Sequence, residues 1–142
     1  MENNKLTEFM DVMSKAYYNK SIFFLSDFYQ SETRIVFLLL KNDCESTPGD
    51  ISAELGFSTA HTASLLRSLE HKKYIDRLPA AKDRRRVIVT LTDEGKAFAD
   101  EKYSEITTFF AKLSDAFGEN DMNEFIRLMG RLSEITEDIT EK

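Results

Sequence analysis

Between Thr47 and Ser58 the chain reads "TPGDISAELGFS", two helix starts with a helix stop between them. Thr47 can cap a helix through its hydroxyl, Pro48 at the first helical position gives up an amide that would be orphaned there, and Asp50 adds negative charge to the first turn. That helix can run through Ile51 and Leu55 only as far as Gly56, which is free to take the positive φ of a tight turn. Ser58 caps the next helix after only Gly56 and Phe57. Two short helices joined in this way predict a helix-turn-helix.

The second helix continues to about Lys72. On it Thr62, Leu65, Leu66 and Leu69 form an i, i+3, i+4, i+7 set that must face a core. At 100° per residue the opposite face holds Ala60, Ser64, Arg67 and His71, flanked by His61 and Ser68, with Thr59 at the start. After Tyr74 the period changes to alternation: "YIDRL" and "RVIVTLT" read as strands with Ile75, Val87, Val89 and Leu91 on one side, and "PAAKDR" as the turn between them. Helix, turn, helix, hairpin is the order of a winged helix-turn-helix. Upstream, Ser31 is expected to cap a helix that is apolar nearly all round from Ile35 to Leu40 and so central to the core. Downstream, Thr92 caps a long helix with Asp93 and Glu94 in its first turn, "GEN" at 118–120 breaks it, and a last helix carries Met122, Phe125, Ile126, Met129 and Leu132. Leu6, Phe9, Met10, Met13 and Tyr17 make one stripe on an amphipathic N-terminal helix. The predicted fold is mostly α with a small β wing. One domain spans 1–142, with the winged helix-turn-helix at 31–92 and a helical dimerisation region at 1–30 and 93–142, since the terminal stripes exceed what one small core can cover.

Charge singles out one segment. The 142 residues carry 19 Lys and Arg against 25 Asp and Glu, a net of -6. From Ser58 to Thr90, however, eight basic residues (Arg67, Lys72, Lys73, Arg77, Lys82, Arg84, Arg85, Arg86) face three acids (Glu70, Asp76, Asp83), a local +5 that leaves -11 for the remainder. Charge gathered on a helix-turn-helix and its hairpin suits a polyanion. Other classes find little support. No nucleophile motif, phosphate-binding glycine loop or carboxylate pair is present, so an enzyme is not expected. His61 and His71 lack ligands at metal-binding spacing, and neither metal nor cofactor is expected. The longest apolar run, "IVFLLL", is far short of the roughly 20 residues of a membrane span. Cys44 is the single cysteine, flanked by acids rather than thiolate-stabilising cations, and reads as a loop residue of a reducing compartment. A soluble, cytoplasmic protein is the expectation.

"DRRRVIVTLTDEG" at 83–95, together with "ISAELGFS" and "LLRSLEHKKYI", resembles the MarR family (multiple antibiotic resistance regulators), over essentially the whole chain. The resemblance implies a homodimeric winged helix-turn-helix transcription regulator, most often a repressor released by a small-molecule effector. Thr59, Ala60, His61, Ser64, Arg67 and Ser68 would then meet base edges, where small and polar residues approach closely. Asp83 would orient Arg85 into a minor groove, with Arg84 and Arg86 on phosphates. Two copies imply a pseudo-palindromic operator on double-stranded DNA. The family usually has glycine where Lys73 stands, so either Lys73 is left-handed or the recognition helix ends differently. Tyr17, Tyr18, Phe23, Phe24, Phe28 and Tyr29, with Arg34, could line a cleft for a flat anionic aromatic effector, or could be core. The competing function is a winged-helix protein-interaction module whose basic wing meets an acidic protein.

Overall fold

The computed structural model describes residues 2–20, 26 and 29–140. These form two compact units, Met1–Lys102 and Tyr103–Lys142. In chain order the elements are α1 (Glu2–Tyr18), α2 (Ser31–Lys41), β1 (Glu45–Ser46), α3 (Pro48–Leu55), α4 (Thr59–His71), β2 (Ile75–Pro79), β3 (Val87–Leu91) and α5 (Asp93–Thr140). The mostly helical winged fold with its small sheet is thus the observed one.

The caps between α3 and α4 act as their sequence dictates. Thr47 Oγ1 accepts from the Asp50 amide at 3.1 Å, Pro48 opens α3, and Gly56 closes it at φ 68°. Ser58 Oγ then accepts from the His61 amide at 3.1 Å. Where the two helices cross, Ser52 Oγ and the buried Thr62 Oγ1 are 2.8 Å apart, so the one polar side chain on the inner face of α4 is satisfied. Leu66 and Leu69 of α4 join Ile35, Val36 and Leu39 of α2, Ile51 of α3, and Ile75, Val89 and Leu91 of the sheet in a single core. Leu65 packs against its margin.

Lys73, two residues past the end of α4, takes φ 62°. The Tyr74 amide reaches back to the Leu69 carbonyl and the Lys73 amide to that of Glu70, both at 3.0 Å, a Schellman closure with lysine in the place glycine favours. A left-handed β-carbon costs ~1–2 kcal/mol, and the surroundings hold it there. Thr92 Oγ1 donates to the Lys73 carbonyl at 2.6 Å and the Thr92 amide to the Tyr74 carbonyl at 3.1 Å. Thr92 Oγ1 also accepts from the Gly95 amide at 3.0 Å, capping α5 as expected. Gly95 is required at this junction, because a β-carbon there would lie 2.1 Å from the Tyr74 carbonyl oxygen. One turn later Phe98 stacks on Tyr74, centroids 4.6 Å apart.

The sheet is antiparallel in the order β1-β3-β2. β2 and β3 pair with Ile75 opposite Leu91 and Pro79 opposite Val87, which leaves 80–86 as the hairpin loop. Two sequence expectations are corrected and one element is added. Val87 keeps the inward side of β3 but is 41% exposed, because its pairing with Pro79 lies beyond Val89, the last core residue of the strand. Ser31 does not cap α2: Gln30 precedes the helix without a side-chain cap bond, and Ser31 lies within the first turn. β1 is an addition, two residues on the free edge of β3 with Glu45 opposite Thr90. Its approach turns through Asp43 and Cys44, both at positive φ, and the half-buried Cys44 packs against the core.

In the second unit Gly118, at φ 75° and ψ 168°, interrupts α5 where the sequence predicts a break. Phe117 and Phe125 meet edge to face across it, and Met122 is buried. Ile126, Leu128, Met129, Leu132 and Ile135 remain exposed. So do Leu6, Phe9, Met10, Met13 and Tyr17 on α1.

Candidate nucleic-acid interface

The outer face of α4 carries what its periodicity predicts. Thr59, Ala60, His61, Ser64, Arg67 and His71 are all exposed. Ser68 is different: it is half-buried, and its hydroxyl hydrogen-bonds Glu32 of α2. Glu32 also forms an ion pair with Lys72, just past the end of α4. Burial pushes the Glu32 carboxyl up, but the hydrogen bonds from Lys72 and Ser68 and the charge of Lys72 outweigh it and hold the group below its ordinary value.

On β2, Arg77 stands opposite Val89, on the core side of the hairpin, and its guanidinium binds Glu70 of α4, with Nε 3.0 Å from Oε2. This contact holds the Glu70 carboxyl below its ordinary value. Two of the eight cations of the basic segment are therefore used internally. Arg67, Lys73, Lys82, Arg84, Arg85 and Arg86 are exposed, with no carboxylate at ion-pair distance among the described residues.

Asp83, Arg84, Arg85 and Arg86 lie together in the hairpin loop. Asp83 does reach Arg85, by way of the backbone: its Oδ1 accepts from the Arg85 amide at 3.0 Å. The Asp83 carbonyl accepts from the Arg86 amide at 3.0 Å, and the Ala80 amide donates to the Arg86 carbonyl at 2.8 Å. The acid thus shapes the tip as an Asx turn does and leaves all three guanidinium groups outside the turn's own bonding. Charges held on a short, internally bonded loop can follow a phosphate ridge or enter a narrow groove.

The residues suggested for an effector are less gathered. Tyr17 and Tyr18 are exposed on α1, their rings 6.1 Å apart. Phe23, Phe24 and Phe28 lie outside the described residues. Arg34 is half-buried against the helix-turn-helix: Nη2 donates to the Leu55 carbonyl at 3.2 Å and Cζ lies 4.8 Å over the Phe57 ring. Phe57 in turn meets the His61 ring edge-on at 5.1 Å. Helical periodicity does not announce contacts between α2 and the turn before α4, and the available signal is an arginine that directly precedes the apolar run at 35–40. Among the described residues no helix is long and apolar enough to cross a membrane.

Comparison with known proteins agrees with this geometry. A family described as winged helix DNA-binding domain matches residues 32–110. No curated protein matches the sequence. Among solved structures, disulfide-formed AbfR is similar at 19% identity over 99% of this chain and 98% of its own, with a TM-score of 0.72. FabT from Streptococcus pneumoniae, solved in complex with DNA, is similar at 19% identity over 95% of this chain and 99% of its own, with a TM-score of 0.71. A mutant of MarR from E. coli is similar at 16% identity over 86% of this chain and 93% of its own, with a TM-score of 0.63.

Proposed function

The chain belongs to the winged helix DNA-binding domain family and has the fold of MarR-type transcription regulators, and from that premise we propose that it is a sequence-specific regulator of double-stranded DNA, acting as a homodimeric repressor. One observation carries the reading: the exposed face of α4, the turn that closes it at Lys73 and the hairpin loop together present six cations with no acidic partner among the described residues, on a chain whose net charge is -6. α4 enters a major groove with Ala60, His61, Ser64 and Arg67 toward base edges, Arg67 being suited to guanine and the Ala60 methyl to thymine. Thr59, at the helix start, and Ser68 border this face. Arg85 enters the adjoining minor groove, and Arg84 and Arg86 hold phosphates.

Dimerisation follows from the exposed apolar faces of α1 and of the second unit, which a second copy would bury. Two recognition helices about 34 Å apart then select a pseudo-palindromic operator. That FabT, which is similar in fold, was solved in complex with DNA supports a DNA-binding reading. Release by a small anionic aromatic effector is part of the proposal, with Tyr17, Tyr18, Phe24 and Arg34 as its binding residues. Such a ligand would compete with the Leu55 carbonyl for Arg34. The protein would work in the cytoplasm.

Selection of bound duplexes from a random pool, followed by titration in increasing salt, tests the function. A two-fold-related consensus and a steep negative slope of log K against log salt are expected. A chain that retains no DNA at low salt, yet captures an acidic protein, is an interaction module instead.

A further inference from the structure

A single turn of α2 grips both ends of the recognition helix. Ser31 Oγ lies 3.4 Å from His61 Nε2, in the first turn of α4. Its neighbour Glu32 pairs with Lys72 at the far end of α4 and takes a hydrogen bond from Ser68 one turn earlier. Arg34 binds the Leu55 carbonyl, where α3 ends, and lies over Phe57, which itself packs on His61. These residues therefore reach the start of α4, its end and the turn that leads into it. The apolar contacts of Leu66 and Leu69 hold α4 onto the core but are non-directional, and the Ser52–Thr62 hydrogen bond acts only near its N-terminal half. Hydrogen bonds, an ion pair and a cation-π contact have direction, and they act here on both ends of the helix.

We propose that Ser31, Glu32 and Arg34 are positioning residues for DNA reading: without touching base or phosphate, they set the rotation and axial position at which α4 presents Ala60, Ser64 and Arg67. The inference rests on the DNA-reading function proposed above. Phosphate contacts tolerate a helix that rocks, because long cationic side chains follow the charge. Contacts to base edges do not, because they need both partners aligned. Loosening the grip therefore lowers discrimination between sequences more than it lowers general affinity.

The test compares the full wild-type chain with Arg34→Ala, Arg34→Lys, Phe57→Leu and Glu32→Gln, each checked for folding by circular dichroism and titrated against the selected operator and a random duplex. Arg34→Ala and Glu32→Gln are expected to lose about ten-fold of the operator-to-random affinity ratio, the scale of one base contact. The slope of log K against log salt should not become shallower, since every cation that meets a phosphate is still in place. Arg34→Lys, which keeps the charge and a donor for Leu55 but cannot lie flat on Phe57, should recover part of the ratio. Arg34→Ala combined with Phe57→Leu should lose less than the sum of the two single changes, because they break one contact. An Arg34→Ala chain with the wild-type ratio overturns the inference. So does one that loses affinity equally on both duplexes with a slope shallower by about 1, which would make Arg34 a phosphate contact. If Arg34→Ala fails to fold, Glu32→Gln decides, and an unchanged ratio there overturns the inference as well. A wild-type chain without sequence preference overturns the DNA-reading function and this inference together, whereas a selective wild type matched by all its variants overturns the inference alone.

Discussion

At the scale of the residue, the hairpin loop makes an acid work for a basic surface. Asp83 accepts from the Arg85 amide and so fixes the tip on which three arginines stand. Asp83→Ala should weaken binding to operators with A/T-rich flanks, although simple electrostatics predicts tighter binding when an acid leaves a DNA-facing loop. Asp83→Asn keeps an acceptor at the same place and should restore most of the loss. Arg85→Ala should show the same dependence on flanking sequence, since narrow A/T-rich grooves reward an inserted guanidinium. Titration on A/T-flanked and G/C-flanked duplexes decides between shape and charge: tighter binding by Asp83→Ala would make the loop a plain patch of charge. Glu32 gives a second prediction at this scale. Its carboxyl is held below the ordinary value of 4.5, against burial, by Lys72 and Ser68. A group lowered on folding contributes stability above its unfolded value and loses that contribution as pH falls through its folded value. Thermal midpoints should therefore fall less steeply below about pH 4.5 in Glu32→Gln than in the wild type, by an amount within the ~0–1 kcal/mol of part-exposed pairs.

At the scale of the element, the junction of α4, β2 and α5 holds two residues with opposite demands. Lys73 is left-handed without being glycine, and Gly95 lies where a β-carbon would meet the Tyr74 carbonyl. Lys73→Gly should stabilise the chain by ~0.5–1 kcal/mol, the relief of the left-handed β-carbon less the added freedom of the unfolded glycine. Gly95→Ala should destabilise it by ~1–3 kcal/mol, because a backbone carbonyl cannot give way as a flexible side chain would. Denaturant melts of the two variants should move in opposite directions, and a Gly95→Ala chain as stable as the wild type would show that α5 can shift without cost. The helix caps at Thr47, Ser58 and Thr92 were legible in the sequence, because donor and acceptor lie three residues apart. Ser31 resembles them locally but is not a cap, since its hydroxyl faces His61, thirty positions away. β1 has too few residues to show a period, and the alternation that assigns Val87 a side cannot say how far the core extends beneath it. The exposure of the outer face of α4 was legible in full except at Ser68, which is half-buried.

At the scale of the whole molecule, the basic segment is visible in the sequence while its usable charge is not. Lys72 and Arg77 are engaged by Glu32 and Glu70, two acids that proximity along the chain does not reveal as their partners. Lys72→Ala and Arg77→Ala should accordingly leave the slope of log K against log salt unchanged, whereas Arg84→Ala and Arg86→Ala should each make it shallower by about 1, one phosphate being left without its cation. Equal changes in all four would mean that the ion pairs open on DNA.

The exposed apolar faces belong to this scale too. Ile126, Leu128, Met129, Leu132 and Ile135 lie on the last part of α5, and Leu6, Phe9, Met10 and Met13 on α1, all open to water. Burying one such side chain stabilises by roughly 1.5–3 kcal/mol, so a second copy covering several of them offsets the entropy of association. Met129→Asp and Leu132→Asp place a charge on that face, at positions outside the winged unit, and each should shift the chain from dimer to monomer in sedimentation while its far-ultraviolet spectrum is retained. Deleting residues 119–142 goes further: it removes the buried Met122 and the Phe125 ring that covers Phe117, and should give aggregation or loss of soluble protein. Operator affinity separates dimerisation from folding. A folded monomer keeps one recognition helix and one wing, so it should bind a single half-site nearly as the wild type does. It should lose the gain that two linked half-sites give, commonly about 10²-fold or more. A Leu132→Asp chain that remains dimeric and binds the full operator like the wild type would place the interface elsewhere on the molecule.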